Sequence, residues 1–172
     1  MILKRFLMIL SPDYFRKSFP ENLRISGRGK LTSDNFLSGD KLFRSFKKTD
    51  LDSEKHLKPE TIKFPDVSCN WSKFSKPCDI WFRDKGSAKD GCYSFSVEDS
   101  RFNKTATPVH DPIFENDPIY TENYSHTELR VLPEGKDFLF EPDKGRKINS
   151  KSKKLEYRMH IREVCKIEIK AW

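Results

Sequence analysis

The sequence predicts an α+β fold that is mainly β: a small antiparallel sheet with long ordered loops and few short helices. Three observations carry that expectation. Apolar residues alternate with polar ones over several short stretches, whereas helical signals are few and brief. Ten prolines are spread through 172 residues, and each fixes φ where it stands, which favours ordered connections. Aromatic residues reach 13% while the whole apolar set reaches only 35%, so the core is small for the length but rich in rings, unlike a disordered chain. The length suits a single domain over residues 1–172.

The elements follow in chain order. Lys4 and Arg5 split the opening MILKRFLMIL, leaving five apolar residues in a row where a signal-peptide core needs about 7–15. It reads as a short core element. No stretch approaches the roughly 18 apolar residues of a membrane span, so no membrane is expected as a partner. Ser11-Pro12-Asp13 starts a short helix through Tyr14 and Phe15, which Pro20 ends. Gly27, Gly29, Asp34, Asn35, Gly39 and Asp40 mark residues 26–40 as loop, and Gly27-Arg28-Gly29-Lys30 lacks the strand-to-helix context of a phosphate loop. Leu42 to Phe46 is a short strand. Cys92 to Val97 is another, with Tyr93, Phe95 and Val97 on one side. A third begins at His126, placing Ser125, Thr127, Leu129 and Val131 on one face and His126, Glu128 and Arg130 on the other.

At the C-terminus, seven of the eight odd positions from Leu155 to Ile169 are apolar, which predicts a half-buried strand or a hairpin pair. The same pleat sets Arg158, His160, Arg162 and Lys166 on a basic outer face. Residues 142–154, ahead of it, lack periodicity and read as a mobile basic loop between strands.

Charge is unevenly placed. Residues 1–30 hold seven Lys/Arg against two Asp/Glu, and residues 142–172 hold ten against four, whereas the middle holds sixteen against twenty. Two basic ends brought together form a face that attracts a polyanion through phosphate contacts and counterion release. The segment around Trp71 and Lys73 interleaves rings, Ser/Asn and Lys in the manner of a surface that stacks on bases, and Trp81 and Phe82 extend it; the competing account places Trp71, Phe74, Trp81 and Phe82 in the core. RNA or single-stranded DNA is the partner this pattern suits.

The candidate chemistry lies between Pro108 and Gly135. His126, Glu128 and Arg130 share one strand face, and His110 can fold back toward them. Imidazole can move a proton near neutral pH, a carboxylate can act as base or orient the imidazole, and a guanidinium can hold developing negative charge. That set suits ribonuclease-like phosphodiester chemistry at His110, His126, Glu128 and Arg130. The competing account is a solvated strand face with Glu128 and Arg130 paired. Cys69, Cys78, Cys92 and Cys165 form no close pairs, which argues against zinc and for reduced thiols in a cytoplasmic protein. No cofactor is called for.

Ser68-x-x-x-Ser72-x-x-Ser75-x-Pro77, Gly91-Cys-Tyr-Ser-Phe, Val109-His110-Asp111-Pro112 and Asn123-Tyr-Ser-His126-Thr-Glu128 resemble small bacterial proteins of uncharacterised function over about residues 42–132. The chain is also similar to ADP-ribosyltransferases of the Arg-Ser-Glu type, with Arg44, Ser72 and Glu128 at the matching positions and His126 where a second Glu or Gln often stands. That resemblance implies a cleft for a nicotinamide dinucleotide lined by those three residues. A third expectation is a non-catalytic accessory subunit, docking on a protein partner through its aromatic surface.

Overall fold

The computed structural model of the chain describes residues 20–80, 91–114 and 122–171. The expectations for residues 1–19 and for Trp81 and Phe82 fall outside these. Six strands, β1 (Lys41–Phe46), β2 (Val67–Trp71), β3 (Gly91–Ser96), β4 (Ala106–His110), β7 (His126–Val131) and β8 (Lys166–Ile169), form one antiparallel sheet in the order β4-β7-β2-β1-β3-β8. β5 (Ile113–Phe114) and β6 (Glu122–Asn123) pair as a separate two-stranded ribbon. Two α-helices, α1 (Val97–Ser100) and α2 (Lys151–Val164), complete the regular structure of the described residues together with short 3₁₀ turns. The fold is mainly β with few short helices, as the sequence predicts.

Alternation along each strand sorts side chains onto two faces. One face carries Leu42, Phe46, Val67, Cys69, Trp71, Tyr93, Phe95 and Leu129, all buried, and Tyr157 and Ile161 of α2 pack on it. The strand expected from Cys92 to Val97 is β3 running into α1. Ser96 turns the chain there, because its Oγ accepts from the Asp99 N–H while its own N–H donates to Asp99 Oδ2. The other face is divided. Its β1–β3 part holds Phe43 and Cys92 against Ile80 and Ile169, and its β2–β7–β4 part is polar apart from the buried Val109.

The C-terminal stretch differs from its expected strand. Residues 151–164 are helix, and only Lys166–Ile169 pairs with β3. Tyr157, Ile161 and Val164, spaced by four and three, form the inward stripe, while Leu155, which helped to make the two-residue period, is 55% exposed. Lys, Arg, Glu, Leu and Met favour helix intrinsically, and the Ser150 side chain caps its start by accepting from the Lys153 N–H.

The basic outer face expected of that strand therefore does not exist. Arg158 donates to the Ile62 carbonyl, Arg162 pairs with Asp52 at 2.7 Å, His160 stacks on Phe102 at 4.0 Å between centroids, and Lys166 stands apart on the edge strand β8. The expected mobile loop is also pinned at its start. The Pro142 carbonyl accepts from Arg130, and the Gly145 N–H donates to Asp66. Among the described residues, no helix is long and apolar enough to cross a membrane.

Candidate functional site

The polar part of the sheet is built from β7 outward. His126, Glu128 and Arg130 alternate onto one face, as the sequence predicts, and cross-strand pairing adds Ser68 opposite Glu128. His126 Nδ1 lies 2.6 Å from the Asp111 carbonyl oxygen and Nε2 lies 2.8 Å from Ser68 Oγ. A carbonyl oxygen can only accept, so Nδ1 carries the proton and donates it. In the neutral ring Nε2 then turns a lone pair toward the serine hydroxyl.

Beside this pair, four charges close on one another. Arg130 Nε and Nη2 both donate to Glu128 Oε2, at 3.0 and 2.8 Å, and Nη2 also lies 3.4 Å from Asp111 Oδ1. Lys144 reaches in from the loop after β7, with Nζ 2.6 Å from Asp111 Oδ2 and 3.5 Å from Glu128 Oε1. Burial pushes the Asp111 carboxyl up, but the ammonium of Lys144 and the guanidinium of Arg130 more than offset this and hold it below the ordinary range. The hydrogen bond from Lys144 to Asp111 raises the lysine in turn.

Asp111, His126 and Glu128 offer ligand atoms within 4.8 Å of one another, a spacing that a metal ion could use. The donor set is already committed. Both carboxylates are held by Arg130 and Lys144, and both imidazole nitrogens face hydrogen-bonding oxygens. A cation entering here would have to displace two others, so the residues fit a closed ion-pair quartet and do not fit a metal.

The remaining expected site residues lie elsewhere. His110 pairs with Thr127 across β4 and β7, which puts its side chain on the opposite face from His126. There it is fully buried among Trp71, Phe74 and Tyr124, with Nδ1 accepting from the Leu31 N–H and Nε2 donating to the Tyr124 carbonyl. Trp71 is also fully buried, so it is a core ring and not a stacking surface. Its Nε1–H donates to Asp40, and the Lys73 ammonium covers the ring at 5.0 Å from the centroid. Arg44 shares the core face with Leu42 and Phe46 and donates to the Ser68 carbonyl. Ser72 lies past the end of β2, where its Oγ accepts from the Lys41 N–H. Arg44 and Glu128 thus stand on opposite faces, and these three residues do not line one cleft.

A second feature is not evident from the sequence. Where β7 ends, a cleft of about 420 Å³ opens between residues 131–136 and the segment that leads into α2. Lys104, Lys136, Arg146, Lys147 and Lys153 line it, and Glu134 is its one acidic residue. Beside it, the Lys136 ammonium lies 4.9 Å from the centroid of Phe140, which is 37% exposed, and Arg101 lies 5.1 Å from that of Phe138. The available signal is Lys136-Asp-Phe138-Leu-Phe140 followed by Lys144 to Lys154, two stretches whose meeting depends on the turn after β7.

No family model, curated protein or solved structure matches the chain.

Proposed function

We propose that this protein binds single-stranded nucleic acid, RNA or DNA, through the basic cleft at the end of β7. The observation that carries the reading is the lining of that cleft, five cations against one carboxylate, with an exposed phenylalanine at its margin. Phosphates suit such a lining, and a ring beside it offers a stacking surface that tolerates any base. The lining also uses Arg146, Lys147 and Lys153 from the basic C-terminal stretch that pointed to a polyanion. The reading is one of binding. Arg130 is clamped to Glu128 and the quartet around it sums to zero charge, which leaves little there to hold a phosphodiester in a reaction.

Fluorescence anisotropy with labelled single-stranded oligonucleotides across a salt series tests it. Binding should weaken steeply with salt, and Arg146→Glu with Lys147→Glu should flatten the slope by about 0.7 for each phosphate no longer neutralised. Phe140→Ala should cost about 1–3 kcal/mol if a base stacks there. No binding at low salt, or binding indifferent to these substitutions, overturns the proposal.

A further inference from the structure

The Ser68–His126 pair on the polar face has no part in the proposed binding cleft. We propose that Ser68 is a nucleophile activated by His126, and that its substrate is a neutral carboxylic ester or thioester. The assignment does not rest on the nucleic-acid reading.

The geometry has three parts. Ser68 Oγ is 2.8 Å from His126 Nε2, within reach for direct proton transfer. The Asp111 carbonyl, 2.6 Å from Nδ1, holds the ring in the tautomer that leaves Nε2 unprotonated, which is how an orienting group serves a base. Asp111 cannot drift, because its own N–H donates to the His126 carbonyl and its carboxylate is gripped by Lys144 and Arg130. Ser68 itself is half-buried, whereas Asn70, next along the same face of β2, is fully buried.

Charge selects the substrate. Glu128 is the cross-strand partner of Ser68, and the nearby quartet of Asp111, Glu128, Arg130 and Lys144 has no net charge. Among the described residues, a phosphodiester would bring its anion beside a carboxylate whose quartet has no surplus cation to receive it, whereas a neutral acyl group meets no such repulsion.

The reaction balances with these groups and water. Ser68 Oγ bonds to the acyl carbon while its proton passes to Nε2, and the imidazolium is supported by the Asp111 carbonyl. Nε2 then gives the proton to the leaving alcohol or thiol as that bond breaks, leaving an ester on Ser68. Water attacks this ester, its proton goes to Nε2, the acid departs, and Ser68 recovers the proton.

The test uses the full chain and a fluorophosphonate probe, read by intact mass and peptide mapping, with p-nitrophenyl acetate and bis(p-nitrophenyl) phosphate as paired substrates. One adduct is expected on Ser68, absent from Ser68→Ala and formed at least about 100-fold more slowly in His126→Gln, with turnover of the acetate and not of the phosphate. Thermal unfolding followed by circular dichroism shows whether each variant is folded. Should His126→Gln fail to fold, the position of the wild-type adduct decides. The proposal is overturned by no adduct on the wild type, by an adduct on another residue, by equal labelling of folded His126→Gln, or by turnover of the phosphate alone.

Discussion

His110 and His126 sit on neighbouring antiparallel strands, one register step apart, and have opposite fates. His110 falls on the core face, fully buried in a ring of Trp71, Phe74 and Tyr124, with both nitrogens bonded to backbone groups. His126 falls on the polar face, against a serine hydroxyl and next to four charges. The same residue type is structural cement in one place and, under the proposal above, the base of a serine nucleophile in the other. The pleat alone decides between them, because moving a side chain by one position carries it through the sheet.

The two faces should break differently. On the core face, Trp71→Ala removes the largest fully buried ring and should cost about 3–5 kcal/mol, read as a lowered urea midpoint. On the polar face, Arg130→Ala leaves Glu128, whose side chain is 11% exposed, without its closest cation. About 3 kcal/mol is expected from stranding that carboxylate, and Arg130→Ala combined with Glu128→Gln should recover part of it. If Arg130→Ala proves neutral, the polar face is solvated and not a closed quartet.

Acid should separate the faces by where it acts. Burial depresses the imidazole of His110 from its ordinary 6.5, so the folded chain resists a proton that the unfolded chain accepts. The resulting stability is complete above 6.5 and drains away as pH falls from there toward the depressed folded value. Asp111 is held below its ordinary 3.8, so its contribution is present above that value and is lost as pH falls through the lower folded one. A urea midpoint plotted against pH should show a first decline beginning near 6.5 that His110→Gln abolishes. Persistence of that step in the variant would assign it to another group.

Smaller effects belong to the helix and the solvent edge. Ser150→Ala removes the cap of α2 and should cost about 1 kcal/mol in the same assay. Lys144→Ala should cost less than about 1 kcal/mol, since its side chain is 58% exposed and its ion pairs meet water.

Of the strands that build this site, only β7 was legible, from its alternation; β2, interleaved with polar residues, and β4, with Pro108 at its centre and buried on both faces, gave no such period. The placement of His126, Glu128 and Arg130 on one face of β7 follows from local alternation alone. The quartet did not, because Asp111 and Lys144 come from separate loops and only the sheet order and the turn after β7 bring them in. His110 was expected to fold back toward the row, but β4 pairs it with Thr127 and so sets it on the face opposite His126. α2 was misleading for a local reason: Leu155 and Met159 complete a two-residue period, but the packed stripe is Tyr157, Ile161 and Val164. Ser150, followed by residues that favour helix, was the available correction. For Trp71 the polar neighbours in sequence allowed a stacking surface as well as a core ring, and the alternation of β2 decides for the core.

The order β4-β7-β2-β1-β3-β8 leaves β4 and β8 as the outer strands of the described sheet. Each carries its own deterrent to a further strand. Pro108, in the middle of β4, lacks the N–H that a newcomer would need, and β8 is a run of only four residues that begins with the exposed Lys166. A ring-rich sheet with bare edges would be a template for edge-to-edge association and fibre growth. Here one imino acid and a short charged rim discourage that end, so the aromatic core can be extensive without making the sheet self-adhesive.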